Sequence, residues 1–76
     1  MPTAFVLINT RTGSIADVLK DLKKVEGVDE AFAVYGAYDI IARVRAESMD
    51  ELREIVTWGI RRIGKVRTTL TMTVVE

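Results

Sequence analysis

The run Val28-Asp29-Glu30-Ala31-Phe32-Ala33-Val34-Tyr35, Gly36-Ala37-Tyr38-Asp39, Ile40-Ile41-Ala42-Arg43-Val44-Arg45 reads as two β-strands with a short link between them. Both flanks are rich in residues that fit a pleated surface. The link, residues 36–39, is short and contains glycine, which signals a hairpin. The strands are therefore expected over 28–35 and 40–45.

On the N-terminal side, Ile15, Val18, Leu19, Leu22 and Val25 repeat at helical spacing. Ser14 is a good N-cap residue, and Asp17 adds a negative charge to the first turn. Lys23 and Lys24 suit the C-terminal end, and Gly27 supplies a stop. The spacing predicts a helix over 14–26. Ahead of it, Ala4-Phe5-Val6-Leu7-Ile8 reads as a strand that ends in the turn-rich loop 9–13.

On the C-terminal side, Ser48 and Glu51 stand at capping-box spacing. Leu52, Ile55, Val56, Ile60 and Ile63 mark the buried stripe of a second helix. Gly59 lies on that stripe, which points to a close approach of helix and sheet. Gly64 ends the helix, and residues 66–75 form the last strand. The order strand, helix, strand, strand, helix, strand defines an α+β, ferredoxin-like βαββαβ fold. It has a four-stranded antiparallel sheet with both helices on one face. Residues 1–76 make a single domain.

A chain of 76 residues buries only about 60% of its unfolded surface, so its stability margin is small. There is no cysteine and no histidine. Disulfides, thiolate nucleophiles, Cys/His metal sites and imidazole bases are excluded together. No cofactor is expected. Eleven basic residues balance eleven acidic ones, and each half of the chain is neutral as well. Nothing draws the domain as a whole to a phosphate backbone. The longest strictly apolar run is Ala4–Ile8, far short of a membrane span, and the first residues do not resemble a signal peptide. A cytoplasmic protein is the default expectation.

A sheet with helices on one face should alternate apolar and polar residues. These strands alternate poorly. Phe5 and Leu7 oppose Ala4, Val6 and Ile8. Phe32 and Val34 oppose Ala31, Ala33 and Tyr35, and Ile41 opposes Ile40, Ala42 and Val44. Two helices cover one face and leave the other as an apolar patch that monomers seldom tolerate. The expected resolution is a homodimer with the open faces paired. In the last strand Leu70, Met72 and Val74 oppose Thr69, Thr71 and Thr73. Trp58 lies off the helical stripe, where it either packs over the helix end or marks a second contact surface.

No enzyme chemistry stands out. The acidic residues of the second helix, Asp50, Glu51 and Glu54, occupy capping or solvated positions, and no glycine-rich phosphate loop is present. RNA-binding versions of this fold need exposed aromatic and basic residues on the central strands. Here those positions hold Leu7, Ile8, Ile41 and Ala42, so direct nucleic-acid binding is not expected. A small zwitterion fits better. Backbone N–H groups at Gly36 can meet a carboxylate, Asp39 can accept from an ammonium, and Tyr38 can close over a side chain. Thr69 and Thr71 supply hydroxyls. The competing assignment is that Gly36 permits the turn and Asp39 caps it through its own backbone.

The run Val28-x-x-Ala31-Phe32-x-Val34-x-Gly36-x-Tyr38-Asp39-Ile40, the polar-capped helix with Leu52 and Ile55, and the Val66-x-x-Thr69-x-Thr71 strand together resemble a known family. It is the effector-binding domain of the leucine-responsive (Lrp/AsnC) regulators, the module for regulation of amino-acid metabolism (RAM). The resemblance spans essentially the whole chain. The Gly-x-Tyr-Asp element is its most specific part. The resemblance implies dimers that assemble into rings, often octamers. It also implies an amino-acid effector bound between dimers near Gly36, Ala37, Tyr38 and Asp39, with Thr69 and Thr71 contributing. Family members carry an N-terminal helix-turn-helix domain, for which these 76 residues have no room. Gly64-Lys65 also stands where the family often has Gly-Val. The expectation is a stand-alone, non-catalytic module, able to co-assemble with a full-length relative. The alternatives are a purely structural oligomerisation module and a small enzyme of the dimeric α+β barrel type.

Overall fold

The computed structural model describes residues 1–76. The elements are β1 (Thr3–Thr10), α1 (Ile15–Leu22), β2 (Val28–Ala33), β3 (Ile40–Arg45), α2 (Met49–Glu54) with a π-helical continuation (Ile55–Ile60), and β4 (Val66–Thr73). The sheet order is β2-β3-β1-β4, and every neighbouring pair is antiparallel. This is the expected ferredoxin-like βαββαβ arrangement.

Strand alternation explains where the core sits. Ala4, Val6 and Ile8 of β1 share a face with Ile40, Ala42 and Val44 of β3, and all six are fully buried. Val18 and Leu22 of α1 meet them, together with Leu52, Val56 and Ile60 from the second helix. Burying each Leu or Ile side chain stabilises by about 1.5–3 kcal/mol.

The opposite face is uncovered. Phe5 pairs with Met72, Leu7 with Leu70 and with Ile41, and Ile41 with Phe32. Phe5, Phe32, Leu70 and Met72 are all exposed. Arg43 shares this face. Its guanidinium reaches Glu30 at 2.7 Å and Asp29 at 3.4 Å, and its Nε is buried without an acceptor.

Several boundaries differ from expectation for local reasons. The first helix stops at Leu22 rather than 26. Lys24 and Val25 donate to Asp21 and Leu22, three residues back, so the chain tightens into turns before Gly27 at φ +98°. Ser14 precedes the helix, but its side chain makes no cap hydrogen bond. Its φ of −108° and ψ of 7° are not the extended conformation that capping requires. β2 ends at Ala33, and only the Val34 N–H continues the ladder, donating to the Asp39 carbonyl at 2.9 Å. β4 ends at Thr73, with one further bond from Val74 to Thr3.

The second helix opens as expected, with Glu51 N–H donating to Ser48 Oγ at 3.1 Å. The reciprocal carboxylate contact goes to Glu47 N–H, one residue before the cap. The helix then widens, and Arg61 N–H donates to the Val56 carbonyl, five residues back. Buried Leu52, Val56 and Ile60 step by four, which overshoots a 3.6-residue turn by about 40° per step. The wider turn keeps them on one side. Gly59 does sit at a close approach, but the neighbour is Val25 rather than the sheet. A Cβ built on Gly59 would lie 2.7 Å from Val25 Cγ1.

Trp58 is 65% exposed, and the Arg62 guanidinium lies 5.6 Å from its ring centroid. No helix is long and apolar enough to cross a membrane.

Candidate functional site

The β2–β3 link is built around Gly36 and Asp39. Gly36 has φ +152°, a conformation that side-chain-bearing residues rarely adopt, and open space surrounds its Cα. The glycine is there for backbone geometry, not for room. Gly36 and Ala37 are exposed, and Tyr38 is half-buried. The N–H groups of these three residues donate to nothing within the chain.

Asp39 does not cap its own turn. Its backbone N–H donates to the Ile8 carbonyl at 2.9 Å. Its Oδ2 accepts the Thr10 N–H at 2.8 Å and the Thr10 hydroxyl at 3.2 Å. The carboxylate thus fastens the hairpin to the end of β1, while Oδ1 stays free of protein partners. Thr10 is itself buried, so its N–H needs this acceptor.

Two open cavities flank this end of the sheet. One, of about 490 Å³, is lined by Asp39 with Arg11, Thr12, Gly13, Arg67 and Thr68 among others. The second, of about 550 Å³, is lined by Thr69 and Thr71 with Val56, Arg61, Arg67 and Thr68. The expected residues therefore divide. Asp39 belongs to the first cavity, and Thr69 and Thr71 belong to the second. Gly36, Ala37 and Tyr38 line neither. Arg67 and Thr68 belong to both and link the two halves.

Thr69 and Thr71 sit opposite Ile8 and Val6, on the helix side of the sheet near its β4 edge. Arg67 was invisible as a site residue because its placement depends on register. Asn9 pairs with Thr68 but Thr10 pairs with Val66, so Arg67 is the extra residue of a β-bulge. Bulges bend the strand and re-aim side chains. Pairing of β1 with β4 was legible, but a one-residue irregularity inside it leaves no trace in the residue pattern.

The fold is thus a ferredoxin-like sheet with one open apolar face and a polar, hydroxyl-lined end. Comparison with known proteins makes this specific. The family model for the Lrp/AsnC ligand-binding domain matches residues 3–76, and the chain belongs to this family. An uncharacterised HTH-type transcriptional regulator of Pyrococcus furiosus is 38% identical over 73 residues, covering 92% of this chain and 49% of its own. The chain thus spans about half the length of the curated relatives it matches. The crystal structure of TTHA0845 from Thermus thermophilus is 34% identical with a TM-score of 0.94, covering 100% of this chain and 95% of its own. AsnC of Escherichia coli is 25% identical with a TM-score of 0.92, covering 99% of this chain and 51% of its own.

Proposed function

We propose that the domain is an amino-acid-responsive regulatory module that works in the cytoplasm by self-assembly and modulates Lrp/AsnC-type transcription regulation. Two copies pair through their open sheet faces. The pairs associate further, as rings that include octamers, with Trp58 on a second contact surface. A small amino-acid effector lies where pairs meet, against Gly36, Ala37, Tyr38, Asp39, Thr69 and Thr71. Because longer relatives contain a domain of the same fold, the module also co-assembles with a full-length Lrp/AsnC regulator. It binds no nucleic acid itself and catalyses no reaction.

The observation that carries this reading is the uncovered face. Phe5, Phe32, Leu70 and Met72 lie exposed on a sheet whose other side is covered by helices over β1 and β3. Contiguous apolar surface of this kind marks an association site. Three unpartnered N–H groups at 36–38 and the free Oδ1 of Asp39 supply donors and an acceptor for a zwitterion. A ligand that needs two pairs to complete its site shifts the population toward the larger assembly.

Sedimentation velocity combined with titration calorimetry against the standard amino acids tests the reading. The expected result is assembly above the 8.5 kDa monomer, with at least one amino acid releasing heat and shifting the sedimentation profile. A folded single copy at micromolar concentration overturns it. Stable assembly without heat from any amino acid replaces it with a purely structural oligomerisation role.

A further inference from the structure

Charge around the cavity at Asp39 selects among amino acids. We infer that this cavity takes an acidic amino acid, L-aspartate or L-glutamate, with Asp39 receiving the ammonium and Arg11 and Arg67 receiving the two carboxylates. This inference rests on the reading above that the domain binds amino acids; it names their class and seats them at the Asp39 side of that site, beside Arg11 and Arg67 rather than Thr69 and Thr71.

The cavity wall carries two guanidiniums and one carboxylate. Arg43, Arg45, Arg53 and Lys65 are all engaged in ion pairs within the chain, whereas Arg11 and Arg67 are in none. They make no side-chain hydrogen bond either. The backbone sets where each side chain begins. Arg11 N–H donates to the Lys65 carbonyl at 2.9 Å, which ties its loop to the start of β4. Arg67 is the bulged residue of β4, with no cross-strand partner of its own. Between them Thr68 Oγ1 accepts from Asn9 Nδ2 at 3.3 Å, which leaves the Thr68 hydroxyl proton to donate.

Counting charge separates the ligand classes. A neutral amino acid offers one ammonium and one carboxylate, so Asp39 and one arginine are matched and the second guanidinium is not. A basic amino acid sets a second ammonium against that unmatched cation. An acidic amino acid brings one ammonium and two carboxylates, and every charge on the wall meets its opposite. Planar guanidinium forks suit carboxylates in particular. Both arginines are exposed, so each pairing is moderate and sensitive to salt.

Titration calorimetry of the full chain with L-glutamate, L-glutamine, L-aspartate, L-asparagine, L-lysine and glutarate tests this. At least one acidic amino acid should bind about two- to fivefold more tightly than its amide at low salt, the scale of one exposed charge pairing. Glutarate, which lacks the ammonium, should bind more weakly than L-glutamate by a similar factor. Arg67→Gln and Arg11→Gln, each checked by circular dichroism for an intact fold, should each erase most of the acid-over-amide preference. A neutral or basic amino acid binding more tightly than both acidic ones overturns the assignment but leaves amino-acid binding standing. So does an unchanged preference in both arginine variants. No binding by any standard amino acid overturns this inference and the proposed function together.

Discussion

Lys65 Nζ donates to Asp17 Oδ2 at 2.6 Å, joining the residue before β4 to the first turn of α1 across 48 positions of sequence. The hydrogen bond and the charge of Lys65 hold the Asp17 carboxyl below its ordinary value of 3.8. A lowered carboxyl pKa means that the contribution to stability is present above the unfolded value and is lost as pH falls through the folded one. Asp17→Asn should therefore lower the urea midpoint at pH 7, and the difference from the parent should vanish well below pH 3.8. The pair is exposed, so added salt should shrink the effect at neutral pH. A difference that persists at pH 2.5 would assign the loss to packing instead.

The contact between Gly59 and Val25 predicts a penalty where helix propensity alone predicts a gain. Alanine is favoured over glycine inside a helix by about 1 kcal/mol. At Gly59 its Cβ would stand 2.7 Å from Val25 Cγ1. Overpacking of this kind costs about 1–3 kcal/mol. Gly59→Ala should lower stability in urea unfolding, and adding Val25→Ala should recover part of the loss, because the two substitutions share one space.

Element order was readable from the chain because its punctuation is local. Gly27 and Gly64 follow their helices, Gly36 marks the hairpin, and the apolar spacing switches between two and about four. The open apolar face was readable for the same reason, since Phe5, Leu7, Ile41 and Phe32 fall on alternate positions. The helix widening at Ile55–Ile60 was not readable, because a stripe at Leu52, Val56 and Ile60 is compatible with an ordinary helix. Nor was the partner of Asp39. Its choice of Thr10, 29 residues away, over its own turn is made by tertiary packing. The division of Asp39 from Thr69 and Thr71 between two cavities follows from the same cause. Spacing in sequence carries no information on which side of β1 a residue of another element will fall.

Asp39 holds structure whether or not it holds a ligand, and two substitutions separate these roles. Asp39→Ala removes the acceptor from the buried Thr10 N–H. An orphaned buried donor costs about 1–3 kcal/mol. Asp39→Asn keeps an acceptor oxygen but loses the charge. The alanine variant should lose stability by that amount in urea unfolding, and the asparagine variant by clearly less. Amino-acid binding in calorimetry should fall about tenfold or more in both, because each removes the anion that meets the ammonium. Retained binding in a stable asparagine variant would confine Asp39 to its bond with Thr10.

Leu70 stands beside Leu7 near the middle of the open face and is 45% exposed. If this face is where two copies meet, a lysine there brings two charges into one apolar contact, one from each copy. Loss of two buried leucines removes about 3 kcal/mol or more, and the ammonium groups add a desolvation cost. Leu70→Lys should therefore weaken pairing by at least about a hundredfold. Sedimentation at micromolar concentration should show a shift to the single copy, with circular dichroism unchanged because the buried core is untouched. The charge should also increase solubility of that single copy relative to a parent diluted below its association range. If Leu70→Lys assembles as the parent does, the pairs are built on another surface, and Trp58→Ala becomes the substitution that should dissociate them.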